Sequence, residues 1–402
     1  MAPAAKKLKS AQTVSAKIKG KQRADPQPSS RFKLVAGSYE KLLYGLEGTI
    51  AEDSTFTLKP IFIFPAHVSC IKAVASSPHG GKWLATGSTD EIIKVWDLRR
   101  RKEVGGLMHH EGSITHLSFP SRSHLMSASQ DGTLCLFRAR DWAVLRSLKG
   151  HKGPVNGIAV HPSGKVAVSV GKDRTLRLWD LMRGRGVAST KLGKEGELVR
   201  WSTDGKLLAV QALSNIDIFN AEMTLLHSIK HPSRIHDIKF CKRVENDSQV
   251  LLVGAEDKKV SVYTFKDVED PSNPPILVAS FVGHGNRVKA IDTLVVAIPS
   301  SSTTTVISTV SSDGFIRLFD MSHLGKSEKD IQPVAEYDAK GTRFTCVTLA
   351  DQDAETPLTA GKRKRDTKDS DDDEEDEDDE WKGVVPLDDG DGDGETEGSE
   401  SD

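Results

Sequence analysis

Short segments in which every second residue is hydrophobic follow one another along most of this chain, and turn residues separate them. WLATGS followed by IIKVWDL is one such pair of segments, and VAVSVG followed by TLRLWDL is another. Apolar side chains at a period of two, many of them β-branched, predict strands that bury one face. We therefore expect strands from Phe32 to Asp351 and no helix.

An aspartate in a turn precedes an aromatic residue by six positions in five places, and a histidine lies upstream of each pair. The pairs are Asp90 and Trp96, Asp131 and Phe137, Asp173 and Trp179, Asp257 and Tyr263, and Asp313 and Phe319. The histidines are His67, His110, His151, His231 and His284. A unit of about 40 residues with this content is the signature of WD repeats, which form the four-stranded blades of a β-propeller.

Six units follow His67, and the fourth is degenerate because it lacks both the histidine and the turn aspartate. Three strands precede these units and one strand, residues 343–351, follows them. An isolated terminal strand would expose an unpaired edge, so joining it to the N-terminal strands completes a seventh blade. The sequence thus predicts an all-β, seven-bladed WD-repeat propeller over residues 32–351, closed by strands from both termini. It also predicts a disordered basic arm over residues 1–31 and a disordered charged tail over residues 352–402.

The repeated polar residues have a structural role in this interpretation. In WD repeats a His, a Ser or Thr, the Asp and a Trp form a hydrogen-bonded relay inside the blade, and buried polar groups must be paired. Phe137 and Phe319 lack the indole donor and Val253 replaces the Ser or Thr of unit five, so those blades should depend more on packing. The alternative, metal binding or acid–base chemistry, is disfavoured because the set recurs at architectural spacing. Complete sets are His67, Thr86, Asp90 and Trp96, and His151, Ser169, Asp173 and Trp179.

The net charge of −2 conceals a polarised chain, since residues 366–402 contain 20 Asp and Glu against two Lys. We interpret the basic cluster before this segment as a nuclear localisation signal, with a solvated run of charge as the alternative. The Lys-rich arm could act in the same way or contact RNA phosphates, and the acidic segment could bind basic proteins. Both segments could instead be solubilising tails. The proposed signal consists of Lys362, Arg363, Lys364 and Arg365.

The loops that join strands one to two and three to four of each blade share one face of a propeller, and in units one to three these loops are basic. The matching loops of units four to six are mixed or acidic, with Glu222, then Asp267, Glu269 and Asp270, then Glu328, Lys329 and Asp330. We predict a basic surface over three neighbouring blades that suits RNA or an acidic partner. Scattered exposed Lys and Arg are the alternative. The surface comprises Lys82, Arg99, Arg100, Arg101, Lys102, Arg122, Arg140, Lys165, Arg183 and Arg185.

Motifs that carry chemistry are not found in this sequence. The sequence lacks GxxxxGK[ST], HExxH and GxSxG, and no apolar run is long enough to span a membrane. The four cysteines form no CxxC pair and are predicted as buried thiols of a reducing compartment. We expect no enzyme, no cofactor, no metal and no small-molecule substrate.

Several stretches resemble one WD-repeat family more specifically. They are LVAGSYEKLLYG, HHEGSITHLSF, LKGHKGPVNGIAVHPSGKVAVSVGKDRTLRLWDL, NIDIF, GHGNRVKAID, SSDGFIRLFDM and GTRFTCVTL, in this order over residues 33–350. The sequence is similar in them to the p21-activated kinase-interacting proteins, whose fungal members are 60S ribosome-assembly factors, and the charged tail suggests a fungal member. The resemblance implies a nucleolar scaffold that binds assembly factors and ribosomal RNA on pre-60S particles. It supplies no catalytic residue.

Two other functions stay open. Animal members of that family are also linked to inhibition of p21-activated kinase, although the sequence shows no kinase-binding motif. The third possibility is another WD-repeat adaptor, either for a ubiquitin ligase or as a chaperone of basic proteins. We expect the protein in the nucleus and nucleolus, with proteins and RNA as partners and no membrane.

Overall fold

Seven β-sheets and one 3-10 turn make up the part of the chain that this computed structural model describes, which is residues 29–244, 247–265, 273–299, 303–325 and 329–351. The prediction of an all-β fold is confirmed. The 3-10 turn spans Met321–His323 and follows β26.

The strands are β1 Arg31–Ser38, β2 Leu42–Ile50, β3 Phe56–Pro65, β4 Ile71–Ser76, β5 Trp83–Ser88, β6 Ile93–Asp97, β7 Lys102–Leu107, β8 Ile114–Ser121, β9 His124–Ser129, β10 Thr133–Arg138, β11 Val144–Lys149, β12 Val155–Val160, β13 Val166–Gly171, β14 Thr175–Asp180, β15 Arg185–Lys191, β16 Leu198–Trp201, β17 Leu207–Ala212, β18 Asn215–Asn220, β19 Leu225–Lys230, β20 Ile235–Lys242, β21 Gln249–Ala255, β22 Val260–Thr264, β23 Ile276–Phe281, β24 Val288–Ala297, β25 Thr303–Ser311, β26 Phe315–Asp320, β27 Asp330–Ile331, β28 Ala335–Asp338 and β29 Phe344–Asp351.

The sheets are the blades of a closed ring. Blades 1 to 6 have β4, β8, β12, β16, β20 and β24 as their inner strands, and blade 7 has the order β29-β1-β2-β3. In blade 7 Leu34 is paired with Leu349 and Phe32 with Asp351. The inner strands contact one another in order, and β29 contacts both β24 and β4. The predicted closure of a seven-bladed propeller by both termini is therefore confirmed, and it leaves the edges of the inner strands protected inside the ring.

Blade 5 has a fifth strand that the sequence pattern did not predict. The two-residue β27 pairs in parallel with β23, so that Ser280 lies opposite Asp330 and Phe281 opposite Ile331. Ile331 is buried in the same cluster as Phe281 and Phe319. The connection from β26 to β28 thus runs along the outer edge of blade 5. Two residues are too few to show an alternating pattern, which explains why the strand was missed.

The hydrophobic core lies between neighbouring blades. One cluster joins Val35 and Leu43 of blade 7 to Ile71, Leu84 and Trp96 of blade 1. Middle strands have neighbours on both faces, and in β17 every residue is buried. The outermost strands have one solvent side, and in β15 every residue is exposed. Burial between blades fixes each blade against the next and produces a rigid disc with two loop faces.

The antiparallel order determines which loops share a face. Loops that join the first strand to the second and the third to the fourth lie on the face that carries Arg99, Arg140 and Arg183, which we call the basic face. Loops that join the second strand to the third, and one blade to the next, lie on the opposite face with His67 and His151, which we call the histidine face. The start of β1 and the end of β29, where Phe32 is paired with Asp351, lie at the basic face. Among the described residues no helix is long and apolar enough to cross a membrane.

Candidate interaction surfaces

The polar relay of blade 1 is complete in the structure. His67 Nδ1 lies 3.0 Å from Asp90 Oδ2, and His67 Nε2 lies 2.8 Å from Thr86 Oγ1. Trp96 Nε1 donates to the same Thr86 hydroxyl at 3.0 Å. These contacts fit one direction of donation, from the indole N–H to Thr86, from the Thr86 hydroxyl to His67 Nε2, and from His67 Nδ1–H to Asp90.

Blade 3 repeats this arrangement with Ser169 in the place of the threonine. His151 Nδ1 lies 2.9 Å from Asp173 Oδ2, His151 Nε2 lies 2.7 Å from Ser169 Oγ, and Trp179 Nε1 donates to Ser169 Oγ at 2.8 Å. Asp173 also accepts the Lys152 N–H at 3.0 Å, which fixes the loop that enters the blade. The relay thus links the entry loop, the middle strands and the turn between them.

The relay histidines favour the neutral form, which fits a structural role better than metal binding or acid–base catalysis. Burial lowers the pKa of His67 and His151, although the Asp90 and Asp173 carboxylates oppose the shift. A neutral imidazole whose two nitrogens are both hydrogen-bonded has no free lone pair for a metal ion. Within the described ranges no three His, Cys, Asp or Glu side chains are grouped to hold a metal ion.

Blades 2 and 4 modify the relay in different ways. In blade 2 His110 contacts Asp131 and Ser127 at 2.8 and 2.7 Å, and the fully buried Phe137 occupies the position of the tryptophan. In blade 4 the buried Gln211 acts instead, because its Nε2 donates to Glu197 Oε2 at 3.0 Å and to the Leu213 carbonyl at 2.9 Å. Sequence reasoning missed Gln211, although a lone amide within the apolar strand LLAVQA was a signal.

Blades 5 and 6 depart further from the repeat. With Val253 in blade 5, His231 Nε2 lies 3.3 Å from Ser261 Oγ and 3.8 Å from Oδ2 of the half-buried Asp257, whose carboxylate has no hydrogen-bond partner in the described chain. In blade 6 Arg317 enters the relay at its other end, between the histidine and the turn aspartate. Its guanidinium donates to His284 Nδ1 at 2.8 Å and to the turn aspartate at 3.1 Å. Phe319 supplies no indole N–H, so the Thr309 hydroxyl contacts only His284 Nε2 in this relay, at 2.7 Å.

The four cysteines are free and buried, as the sequence predicted. Burial raises the pKa of Cys135 to about 11 and the pKa of both Cys241 and Cys346 to about 12. Cys70, in the loop that enters blade 1, also has a pKa raised by burial. A thiol that holds its proton at neutral pH is a poor nucleophile, so these residues act as small core side chains.

The ten basic residues singled out from the sequence all lie at the basic face of blades 1 to 3. Lys82 is half-buried and the other nine are exposed. Asp97 Oδ1 accepts the N–H groups of Arg99 and Arg100 at 2.8 and 3.0 Å, and Asp180 Oδ1 accepts the Arg183 N–H at 3.0 Å. Aspartates at the strand ends therefore shape the turns that present these arginines.

Aromatic side chains lie among the basic ones, which sequence reasoning missed. Trp83 of blade 1 and Trp142 of blade 2 meet edge to face, with ring centroids 5.4 Å apart, and Lys82 Nζ lies 4.3 Å from the centre of the Trp83 ring. The exposed Arg146 lies directly against Gly184 and connects blades 2 and 3. These side chains are placed by contacts between neighbouring blades. The repeat pattern describes one blade at a time, so it does not show such contacts.

Lys33 adds a further cation beside this surface. Its Nζ donates to the Leu98 carbonyl at 2.9 Å, and its pKa is lowered by burial and by the neighbouring Arg101 and Arg99. Lys33 is also paired with Ala350 across the closing seam. The seam therefore lies next to the arginines of blade 1. The sequence placed Lys33 within a strand and gave no signal of this role.

The remainder of the basic face has fewer free cations. Glu222 is exposed in blade 4, and in blade 5 Arg243 donates to the Leu324 carbonyl at 2.9 Å. Lys329 and Asp330 are both exposed in the connection that follows β26. Four predicted members lie outside the described residues, namely Asp267, Glu269, Asp270 and Glu328. Residues 1–28 of the basic arm, the acidic tail and the proposed nuclear localisation signal also lie outside them, whereas Arg31 at the end of the arm begins β1.

The inner strands surround a central cavity of about 820 Å³. Four of the charged side chains inside it are paired between blades, with Arg200 3.1 Å from Asp237 and Lys239 2.6 Å from Asp292. Asp237 also accepts the Ile291 N–H at 2.8 Å. Burial raises the pKa of Asp237, and the Arg200 charge opposes that shift. These links run from blade 4 to blade 6 and make the channel wall a continuous network.

Comparison with known protein families agrees with this architecture. The WD40 family (WD domain, G-beta repeat) matches residues 58–97, 101–138, 142–180 and 276–320. The matched segments contain the inner three strands of blades 1, 2, 3 and 6. The unmatched blades are the composite blade 7, blade 4, in which Gln211 replaces the relay, and blade 5, in which Val253 replaces the Ser or Thr.

Comparison with individual proteins gives similarity over most of the chain. A Danio rerio protein named p21-activated protein kinase-interacting protein 1-like is 38% identical over 292 residues, covering 72% of this chain and 74% of that protein. Protein MAK11 of Saccharomyces cerevisiae is 32% identical over 380 residues, covering 85% and 88%. Shk1 kinase-binding protein 15 of Schizosaccharomyces pombe is 29% identical over 333 residues, covering 81% and 86%. Two of these names describe proteins that bind a kinase, and none describes an enzyme.

Proposed function

Because this chain belongs to the WD-repeat family of p21-activated protein kinase-interacting protein 1-like proteins, we propose that it is a non-enzymatic scaffold of large (60S) ribosomal subunit assembly. In this proposal the basic face binds ribosomal RNA and other parts of the propeller bind assembly factors of the pre-60S particle. The resemblance of the core to 60S assembly factors supports the choice of particle. The rigid ring and its buried relays support a scaffold.

One observation carries the assignment to RNA, namely the surface of blades 1 to 3, where nine exposed Lys and Arg side chains share a face with a pair of half-buried tryptophans. Lysine and arginine on such a surface release counterions from RNA phosphates, which drives association without dependence on sequence. Half-buried rings such as Trp83 and Trp142 offer edges and faces to unstacked bases. A purely protein partner would gain less from this combination.

Charge reversal on matched surfaces tests the proposal. The basic-face variant replaces Arg99, Arg100, Arg101, Arg183 and Arg185 by Glu. The control replaces the same number of exposed cations on the histidine face, and these are Lys152, Lys172, Arg174, Lys258 and Lys340. Both variants change net charge equally, so a site-specific effect is separated from a change in total charge.

The measurements are co-sedimentation with pre-60S particles and affinity for fragments of large-subunit ribosomal RNA. We expect the basic-face variant to lose RNA affinity by about a hundredfold or more at physiological salt, because each lost phosphate contact weakens binding. The control should stay within about threefold of the parent protein. Retention of RNA and particles by the basic-face variant would remove the proposal.

A nuclear and nucleolar location is part of the same proposal. It is supported by the basic cluster at residues 362–365, which precedes the acidic segment of the tail. Substitution of Lys362, Arg363, Lys364 and Arg365 by Ala in a fluorescent fusion should shift the protein to the cytoplasm. Unchanged nuclear accumulation would show that another segment, such as the Lys-rich arm, directs import.

A second candidate function is binding and regulation of a p21-activated kinase. The names of the Danio rerio and Schizosaccharomyces pombe relatives favour it. Affinity purification from cells separates the two candidates. Large-subunit ribosomal RNA with assembly factors in the eluate supports the scaffold, whereas a kinase without particles supports the regulator. Ubiquitin-ligase subunits or free basic proteins would instead indicate another kind of adaptor.

A further inference from the structure

Six inner strands contain a β-bulge at the same position, one residue after the first residue of the strand. A bulge leaves one residue without a partner in the ladder and redirects its side chain. Here the bulged residues stand at the histidine-face end of the inner strands, and we call the ring they form the channel mouth. They are Lys72, Thr115, Asn156, His236, Lys289 and Thr345.

Three members of the channel mouth join one blade to the next. Thr115 Oγ1 donates to the Val155 carbonyl at 2.8 Å, and Thr345 Oγ1 donates to the Ile71 carbonyl at 2.5 Å. Asn156 Nδ2 likewise donates to a carbonyl of the loop that enters blade 4, at 2.8 Å. In blades 2, 3 and 7 the bulge therefore has a structural purpose.

The other three members of the channel mouth make no such link. Within the described ranges Lys72 and Lys289 have no side-chain hydrogen bond or ion pair. His236 Nε2 is buried without a hydrogen-bond partner there, and it lies 3.5 Å from Glu256 Oε1. These three residues belong to blades 1, 5 and 6, which lie on the arc of the ring that runs from blade 5 through blades 6 and 7 to blade 1.

The charges that face this side of the mouth are mostly positive. Arg287 and Arg234 precede the inner strands of blades 6 and 5, and Arg234 is paired with Glu197 at 2.9 Å. Burial lowers the pKa of Lys289 to about 8, and Arg287, Lys72 and Arg234 lower it further against the opposing charge of Glu256. Burial and the adjacent Lys289 lower the pKa of His236 to about 4. His236 is therefore uncharged near neutral pH, and Lys289, Lys72 and Arg287 are the cations there that have no acidic partner of their own among the described residues.

We propose that the channel mouth binds a phosphate monoester between Lys72, His236 and Lys289. A phosphate monoester carries a charge close to −2 near neutral pH and three acceptor oxygens, which matches the two ammonium groups of Lys72 and Lys289 and the buried His236 Nε2, all without a hydrogen-bond partner in the described chain. The group would enter from the histidine face into the central cavity that these side chains line. The source is either a phosphorylated side chain of a partner or a small phosphorylated metabolite. This site is separate from the basic face and does not depend on RNA binding.

Calorimetry with phenyl phosphate at constant ionic strength tests the site in the full-length protein. We expect Lys289→Met and Lys72→Met each to weaken binding by about tenfold, since each removes one positive charge from the site. Lys289→Arg should retain most of the affinity. The matched control is Lys165→Met, an exposed lysine of the basic face that should leave binding unchanged. An equal loss in the control, or no loss in the two mouth variants, would overturn the proposal. Circular dichroism of each variant checks that the ring has folded.

The pH dependence gives a readout that a general surface effect would not produce. Because the free Lys289 titrates at a pKa of about 8, binding should weaken about tenfold between pH 7 and pH 9 as the ammonium loses its proton. Phenyl phosphate keeps a charge near −2 across this range. In Lys289→Arg the weakening should disappear, because guanidinium stays protonated. The same pH dependence in both proteins would contradict the role of Lys289.

Two further probes distinguish a phosphorylated side chain from a phosphorylated metabolite as the source of the group. A peptide of residues 366–376 with phosphoserine at Ser370 represents a phosphorylated side chain, and inositol hexakisphosphate represents a metabolite. Binding of either probe that is lost in Lys289→Met supports the site, and the tighter one identifies the source. Equal binding of the unphosphorylated peptide, or displacement of phenyl phosphate by single-stranded RNA, would overturn the assignment to a phosphate monoester.

Discussion

Asp292 Oδ2 in blade 6 accepts the backbone N–H of Leu349 in blade 7 at 2.7 Å. The other oxygen of the same carboxylate contacts Lys239 Nζ of blade 5 at 2.6 Å. One side chain thus connects three consecutive blades, and one of them is the blade that closes the ring. Asp237 makes the equivalent connection one blade earlier, between Arg200 and the Ile291 N–H.

Removal of this carboxylate should loosen the closure. In Asp292→Ala the Leu349 N–H and the Lys239 ammonium both lose their partner, and we expect the free energy of unfolding to fall by about 2–4 kcal/mol. Denaturant unfolding measures the change. Asp141→Ala is the control, because its pair with Arg138 is well exposed and should contribute little to stability. Similar losses in both variants would show that Asp292 is not a special link.

The relay of blade 1 makes a second quantitative prediction. Thr86→Val keeps the shape of the side chain but leaves His67 Nε2 and Trp96 Nε1 buried without a partner, so the unfolding free energy should fall by about 2–4 kcal/mol. Thr57→Val is the control, since it removes only the half-buried contact with Thr49 near the ring surface and should cost about 1 kcal/mol or less. A smaller loss for Thr86→Val than for the control would argue that packing alone stabilises the blade.

The two sets of contacts differ in how far the sequence could predict them. The relay of His67, Thr86, Asp90 and Trp96 lies within one repeat, so its spacing recurs and a single sequence shows it. Asp292 bonds to a backbone group 57 positions away in another blade. Backbone donors carry no residue type, and such a partner appears only when the ring geometry is known.

At the candidate surfaces, too, the sequence could predict some features and not others. The basic residues could be assigned to one face because strand order alone decides which loops share it. The contact of Trp83 with Trp142 depends on how two blades pack and was missed. The bulge at Lys289 was missed too, because an inserted residue breaks the alternation from which strands are inferred. Contacts between repeats are therefore the part of this fold that its repeats do not reveal.

The closing seam predicts an abrupt effect of truncation. A chain that ends after Arg343 lacks β29, so β1 keeps β2 but loses its inner partner, and the neighbouring inner strands lose their contact with β29. We expect the melting temperature to fall by more than about 10 °C or the cooperative transition to disappear. A chain that ends after Asp351 keeps every hydrogen bond of the seam and should melt as the full-length protein does. Equal melting of both truncated chains would contradict closure by β29.

Stability should fall as the pH decreases from about 6.5 towards 4. Burial lowers the pKa of His67, His151, His236 and His284, so the unfolded state binds their protons more readily than the folded state in this window. Each proton taken up only on unfolding contributes a slope of about 1.4 kcal/mol per pH unit. Asp237 acts in the opposite direction, because burial raises its pKa and the folded state gains from its protonation. Denaturant unfolding across this range measures the slope, which His236→Gln should reduce; a slope unchanged in that variant would show that His236 does not contribute.

RNA binding at the basic face should separate into a part that depends on salt and a part that does not. Arg99→Ala removes one phosphate contact, so the slope of log affinity against log salt should decrease by about 1. Trp142→Ala removes a ring that stacks on bases, so affinity should fall by about 1–3 kcal/mol while the salt slope stays the same. Trp142→Phe is the matched control, because it keeps an aromatic ring next to Trp83 and should retain most of the affinity. If Trp142→Ala changes the salt slope as Arg99→Ala does, the tryptophan acts only by supporting the arginine loops, and stacking is excluded.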